Sequence, residues 1–172
     1  MTIKWIECAA VLFFFSGMGM YASGQLGKRK TQLKNLEKAL LCLEREVDYH
    51  LAPLADAFTQ AGKKAEKPWN LLFQKMGEGM AGQKNASAEN VLLEAVEEIK
   101  KYHPYSADLA ILTSLGRGLG ELDKEMQLAR LHLAIEEIRQ AKEEAREEQR
   151  QKEKLYQTLG VCMGILGVIL IL

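Results

Sequence analysis

The sequence predicts an all-α protein. It reads as an antiparallel bundle of about five or six helices, flanked by an N-terminal and a C-terminal transmembrane helix, with the last bundle helix running into the C-terminal anchor. Three observations predict this. Apolar residues recur at three- and four-residue spacing in successive stretches, which gathers them on one face of a helix. No stretch alternates apolar and polar residues with β-branched enrichment over a strand's length. Both ends are nearly unbroken apolar runs, and almost all of the charge lies between them.

The first run, Trp5 to Ala22, is interrupted only by Glu7 and Ser16. A membrane-crossing helix needs about 20 such residues. Trp5 and Tyr21 stand near the ends of the run, where interfacial aromatics lie, and Lys28, Arg29 and Lys30 follow. An anchor over 3–25 is predicted. The rival reading is a cleaved signal peptide with Tyr21-Ala22-Ser23-Gly24 as its small-residue site. Against that, the segment before the run carries only Lys4, offset by Glu7, and the dense positive charge comes after it.

Residues 28–154 read as the helical domain. Leu33, Leu36, Leu40, Leu43 and Val47 form one helix face, which Leu54 extends, and Pro53 forces a kink or a new start. Ala55 to Ala61 resumes helical character and is expected to stop near Gly62. Pro68 suits the first turn of the next helix, with Trp69, Leu72, Phe73 and Met76 inward and Gly77, Gly79 and Gly82 as its end. Ser87 is positioned to cap a helix bearing Val91, Leu92, Ala95, Val96 and Ile99. After the turn Tyr102-His103-Pro104-Tyr105, Ser106 caps a helix with Leu109, Leu112, Leu115 and Leu119, closed by Gly118 and Gly120. Asp123 caps the last helix, whose stripe is Leu128, Leu131, Ile135 and Ile138.

That helix meets no proline before the chain's last residue. Its apolar end, Leu155 to Leu172, has 18 residues, or about 27 Å of helix, just enough to cross a hydrocarbon core. Arg146, Arg150, Lys152 and Lys154 precede it. Basic clusters thus flank the middle on both sides, which by the positive-inside rule keeps 28–154 in the cytoplasm and both termini outside. Gly160 and Gly164 make a GxxxG pattern with Gly167 one step on, suited to close packing of membrane helices.

Composition narrows the function. The chain has 23 basic and 23 acidic residues, and only Lys4 and Glu7 lie outside 28–154. A neutral middle argues against a nucleic-acid partner. Cys8, Cys42 and Cys162 form no CxxC and read as isolated buried thiols. His50, His103 and His132 fall in different elements without HExxH, so no metal site or other cofactor is predicted. The glycine-rich Leu115–Gly120 closes a helix instead of following a strand, which argues against a phosphate loop. No Ser, Thr or Cys has a base fixed beside it by motif, so no catalytic centre is predicted.

Two constellations remain. The charged run Lys142 to Glu153 is either a solvated spacer helix or a docking face, with Glu143, Glu144, Glu147 and Glu148 as the partner-docking residues. Gly160, Gly164 and Gly167 are the membrane helix-packing residues. The two leucine stripes also allow self-association as a coiled coil, although the first lasts only two to three heptads before Pro53.

The segment Leu43-Glu-Arg-Glu-Val-Asp-Tyr-His-Leu-Ala-Pro-Leu-Ala-Asp-Ala57, the stretch from Pro68 through Leu72-Phe73, and Leu119-Gly-Glu-Leu-Asp123 with Gln127 together carry a resemblance. With the two apolar ends, the chain resembles the stage III sporulation protein AB family of endospore-forming bacteria over nearly its whole length. The resemblance implies a soluble part similar to the cytoplasmic domain of the inner-membrane platform proteins of type II secretion and type IV pilus systems. It implies a place in the secretion-like channel complex between mother cell and forespore, in the outer forespore membrane. The soluble domain would face the mother-cell cytoplasm, and the partners would be a companion sporulation ATPase and other channel components. It implies no enzymatic activity.

Overall fold

The computed structural model describes residues 27–49, 53–82, 87–117, 119 and 123–171, with side chains as far as Leu155 and again at Thr158 and Leu159. Six helices appear among them, and no strand. They are α1 (residues 27–49), α2 (Leu54–Lys64), α3 (Trp69–Gly82), α4 (Ala88–Ile99), α5 (Ser106–Gly116) and α6 (Lys124–Ile171). The chain forms two compact units: Thr31–Lys142, and Met1–Lys30 together with Glu143–Leu172.

Thr31–Lys142 is the helical unit. Successive helices pack as antiparallel neighbours, α2 on α3, α3 on α4 and α4 on α5. The apolar face of α1 is fully used, with Leu33, Leu36, Leu40 and Leu43 at 0–1 % exposure. Leu131, Ala134, Ile135 and Ile138 of α6 are equally buried. Each such leucine or isoleucine contributes about 1.5–3 kcal/mol when withdrawn from water. Phe58 of α2 and Phe73 of α3 meet as tilted rings 5.8 Å apart. Most of the two predicted leucine stripes is thus taken up inside this unit, although Leu128 of α6 stays half-buried.

Several helix boundaries differ from expectation. Leu54 does not extend α1; it opens α2, with Pro53 at the N-cap, where its carbonyl accepts from the Asp56 and Ala57 amides at 2.9 and 3.0 Å. Gly77 does not end α3, whereas Gly62 lies in the last turn of α2, two residues before its end and close to where that helix is expected to stop. At both glycines the two helices approach closely. A Cβ on Gly77 would stand 2.2 Å from Thr59 Oγ1 and 3.1 Å from the Ala55 carbonyl, and one on Gly62 would stand 3.1 Å from the Gln74 amide. Gly79 is likewise interior and faces Val91 of α4; Gly82 does close α3. Tyr105, not Ser106, is the N-cap of α5, and Ser87 caps α4 by backbone position without a side-chain hydrogen bond. The expected end glycines of α5 lie outside the described residues; α5 itself ends at Gly116. Asp123 caps α6 as expected, its Oδ1 accepting from the Met126 amide at 2.8 Å. Cys42 is half-buried instead of buried, because it lies at the edge of the α1 apolar face.

In the other unit the described residues are 27–30 and 143–171, all helical. The predicted anchor over 3–25 lies outside the described residues. The predicted anchor over 155–172 is helical through Ile171, with most of its side chains outside the description. Among the described residues, no helix is long and apolar enough to cross a membrane.

Candidate functional surface

Within Thr31–Lys142, α1 and the first half of α6 run antiparallel and are laced by ion pairs. Lys124 Nζ lies 3.2 Å from Asp48 Oδ1, His132 Nε2 3.0 Å from Glu44 Oε1, and Arg139 Nε 2.8 Å from Glu37 Oε1. Lys142 donates to the second oxygen of Glu37. Burial raises the Glu37 carboxyl, and the hydrogen bonds and charges of Lys142 and Arg139 outweigh that and hold it below the ordinary glutamate range. A carboxyl lowered by folding stabilises the fold above its unfolded value, and that stabilisation drains away as the pH falls through the folded value. Glu37→Gln is therefore expected to cost about 1–2 kcal/mol at neutral pH, since both partners are partly solvated. The difference from the parent chain should vanish in acid. Thermal unfolding from neutral pH down to the acid limb checks this; parallel curves for the two chains would show that Glu37 contributes no pH-dependent stability.

A second cluster is buried. His103, at the turn between α4 and α5, has no exposed surface, and neither has Asp108 in the first turn of α5. His103 Nε2 is 2.9 Å from Asp108 Oδ2 and its Nδ1 is 2.7 Å from Gln32 Oε1 of α1. Gln32 uses its amide nitrogen on the Tyr102 carbonyl at 3.4 Å, and its own backbone carbonyl accepts from Trp69 Nε1 at 2.7 Å. Nδ1 therefore donates to Gln32, and one proton lies between Nε2 and Asp108. Whichever of the two holds it, the pair is neutral as a whole, which is what makes its burial tolerable. The imidazole also lies 4.9 Å from the Trp69 ring and 5.1 Å from the Tyr105 ring. This knot ties α1, α3 and α5 together. His103 and Asp108 are closed to solvent, whereas Gln32 lies half-buried at the edge of the knot. The sequence pattern puts His103 in a plain turn, and only Asp108, as an acid in a first helical turn, carries a local signal.

The predicted docking carboxylates lie on the solvent face of α6. Glu143, Glu144, Glu147 and Glu148 are all exposed. Glu143 accepts from Arg146 at 3.1 Å and Glu147 from Arg150 at 3.2 Å, each one turn away. Glu148 lies 3.6 Å from Arg29, whose side chain is nearly buried. Gly160, Gly164 and Gly167 continue the same helix, and their surroundings lie outside the described residues. Residues that sequence reasoning does not single out are also exposed: Met126 and Leu133 on the outer face of α6, and Tyr49 at the end of α1, 80 % exposed. His50 lies outside the described residues, and His132 is an exposed partner of Glu44. Among the described residues no group of His, Cys, Asp and Glu is arranged to hold a metal ion.

Comparison with known proteins places this architecture. A family model described as stage III sporulation protein AB matches residues 4–172. The stage III sporulation protein AB of Bacillus subtilis (strain 168) is 25 % identical over 146 residues, covering 84 % of this chain and 85 % of that protein. A solved structure of a stage III sporulation protein AB superposes with a TM-score of 0.65 at 23 % identity, over 72 % of this chain and 98 % of that one. These names give a stage of sporulation and no reaction. The match spans the helical unit and both apolar ends, and the chain belongs to the stage III sporulation protein AB family.

Proposed function

We propose that this chain is a non-catalytic membrane platform. In this reading it is a structural component of a secretion-like channel complex between mother cell and forespore, required for sporulation, and it docks a companion ATPase. Apolar helices at both ends anchor it in the outer forespore membrane, with the helical unit in the mother-cell cytoplasm and both termini outside.

One observation carries the reading: α6 is a single helix of 48 residues. It begins on a capped turn with a buried stripe, continues through a charged, exposed segment and goes on into the apolar run after Lys154. A helix of roughly 70 Å that changes in this order from core-forming to charged to apolar suits a part joining a soluble module to a bilayer. The glutamates at 143, 144, 147 and 148 remain the proposed docking residues. Gly160, Gly164 and Gly167 are the proposed packing positions toward the N-terminal apolar helix or another channel component. Self-association through the leucine stripes is the weaker reading, since those stripes are buried within the chain.

The test uses membranes of sporulating cells of the organism that carries this chain. The full chain should resist alkaline extraction and co-purify the companion ATPase after mild solubilisation. Extraction by alkali would overturn the anchors, and an ATPase absent from the purified complex would overturn the docking.

A further inference from the structure

The neutral total charge conceals a strong division. Residues 28–30 and 150–154 carry six cations and one carboxylate, whereas residues 31–149 carry 16 cations and 21 carboxylates. The first basic segment lies beside the helix that leads into the second, since Arg29 pairs with Glu148, two residues before Arg150, at 3.6 Å within one compact unit. The arginines there are engaged: Arg29 with Glu148, Arg146 with Glu143 and Arg150 with Glu147. Glu153 is held by Gln149 at 2.9 Å. Lys28, Lys152 and Lys154 are exposed and Lys30 is half-exposed.

We propose that these four lysines bind acidic phospholipid headgroups. This rests on the membrane reading and names a ligand for its boundary. Lipid fits better than any other polyanion because of what adjoins the lysines. Lys154 is the last charged residue, and Leu155 and Leu159 directly beyond it are 56 % and 50 % exposed. The Thr158 hydroxyl between them donates to its own helix at the Lys154 carbonyl, 2.9 Å away, so this stretch meets hydrocarbon without an unmet donor. A phosphate beside the lysines then has its acyl chains beside the leucines. A nucleic acid would meet apolar side chains there. Cations at such a boundary attract anionic lipid over a distance set by salt screening.

The test uses the full chain in phosphatidylcholine vesicles containing a spin-labelled lipid, either phosphatidylglycerol or phosphatidylcholine. The fraction of label immobilised by the protein is measured. The parent chain is expected to immobilise phosphatidylglycerol several-fold more than phosphatidylcholine. The combined variant Lys28→Gln, Lys30→Gln, Lys152→Gln, Lys154→Gln should bring that ratio to about one, as should high salt, where screening is strong. Lys100→Gln with Lys101→Gln, changed in the helical unit, should leave it unchanged. A chain that alkaline washing strips from the vesicles would overturn the anchoring and this inference together. A chain that stays inserted but immobilises both lipids equally would overturn this inference alone. So would a preference that survives in the quadruple variant.

Discussion

His103→Ala is expected to destabilise the helical unit by about 3–5 kcal/mol, the cost of breaking a buried ionic pair from one side. The ring has no solvent exposure and meets Asp108 at one nitrogen, Gln32 at the other, and the tilted rings of Trp69 and Tyr105. Truncation leaves the buried Asp108 carboxyl without its hydrogen-bond partner and leaves a space the size of an imidazole. His103→Phe separates the two causes, since it restores the ring without either N–H. If the knot acts through its hydrogen bonds, phenylalanine should be nearly as damaging as alanine. If the site is merely filled, phenylalanine should recover most of the loss. Asp108→Asn, whose amide N–H can donate to a neutral Nε2, is expected to cost less, about 1–3 kcal/mol. Thermal unfolding of the full chain in detergent, followed by near-ultraviolet circular dichroism, reads all three.

Gly77→Ala is the second large effect expected. In an exposed helix interior this exchange stabilises by up to about 1 kcal/mol, because glycine has more backbone freedom to lose. Here the new methyl group would stand 2.2 Å from Thr59 Oγ1, with the α2 backbone itself at 3.1 and 3.2 Å behind it. Thr59 has little room to yield, since its hydroxyl is bonded to the Ala55 carbonyl at 2.9 Å. The α2–α3 contact must open, and overpacking of this kind costs about 1–3 kcal/mol. Gly82 in the same helix has nothing within 4 Å of the place a methyl group would take, so Gly82→Ala is expected to be neutral or slightly stabilising. Equal effects at the two glycines would refute the close approach of α2 and α3.

The glycines also mark where sequence reasoning fails. Gly77 and Gly79 read as helix stops because glycine does end helices. The same residue permits two helices to touch, and that use depends on a neighbour distant in the chain. The apolar faces of α1, α3, α4 and α6 are legible because helical periodicity is local. So is the Asp123 cap, whose acceptor and donor are three residues apart. The i,i+3 pairs Glu143–Arg146 and Glu147–Arg150 are legible for the same reason. The His103–Gln32 contact spans 71 residues and the Glu37–Arg139 pair 102, so no local pattern announces either. Of the candidate surface, the charged run on α6 is evident from the sequence. The exposure of Met126, Leu133 and Tyr49 is not, since a hydrophobic residue in an amphipathic stretch reads as core until the packing is known.

In the proposed function the charged segment of α6 joins a membrane anchor to a docked ATPase. The most direct measurement is the affinity of the companion ATPase for the full chain in lipid nanodiscs, compared with a variant in which Glu143, Glu144, Glu147 and Glu148 are all changed to lysine. The account predicts saturable binding to the parent chain and at least a tenfold loss, about 1.4 kcal/mol, in the variant. Equal binding by both chains would contradict the assignment of the docking face to α6, and no binding by the parent chain would contradict the platform itself.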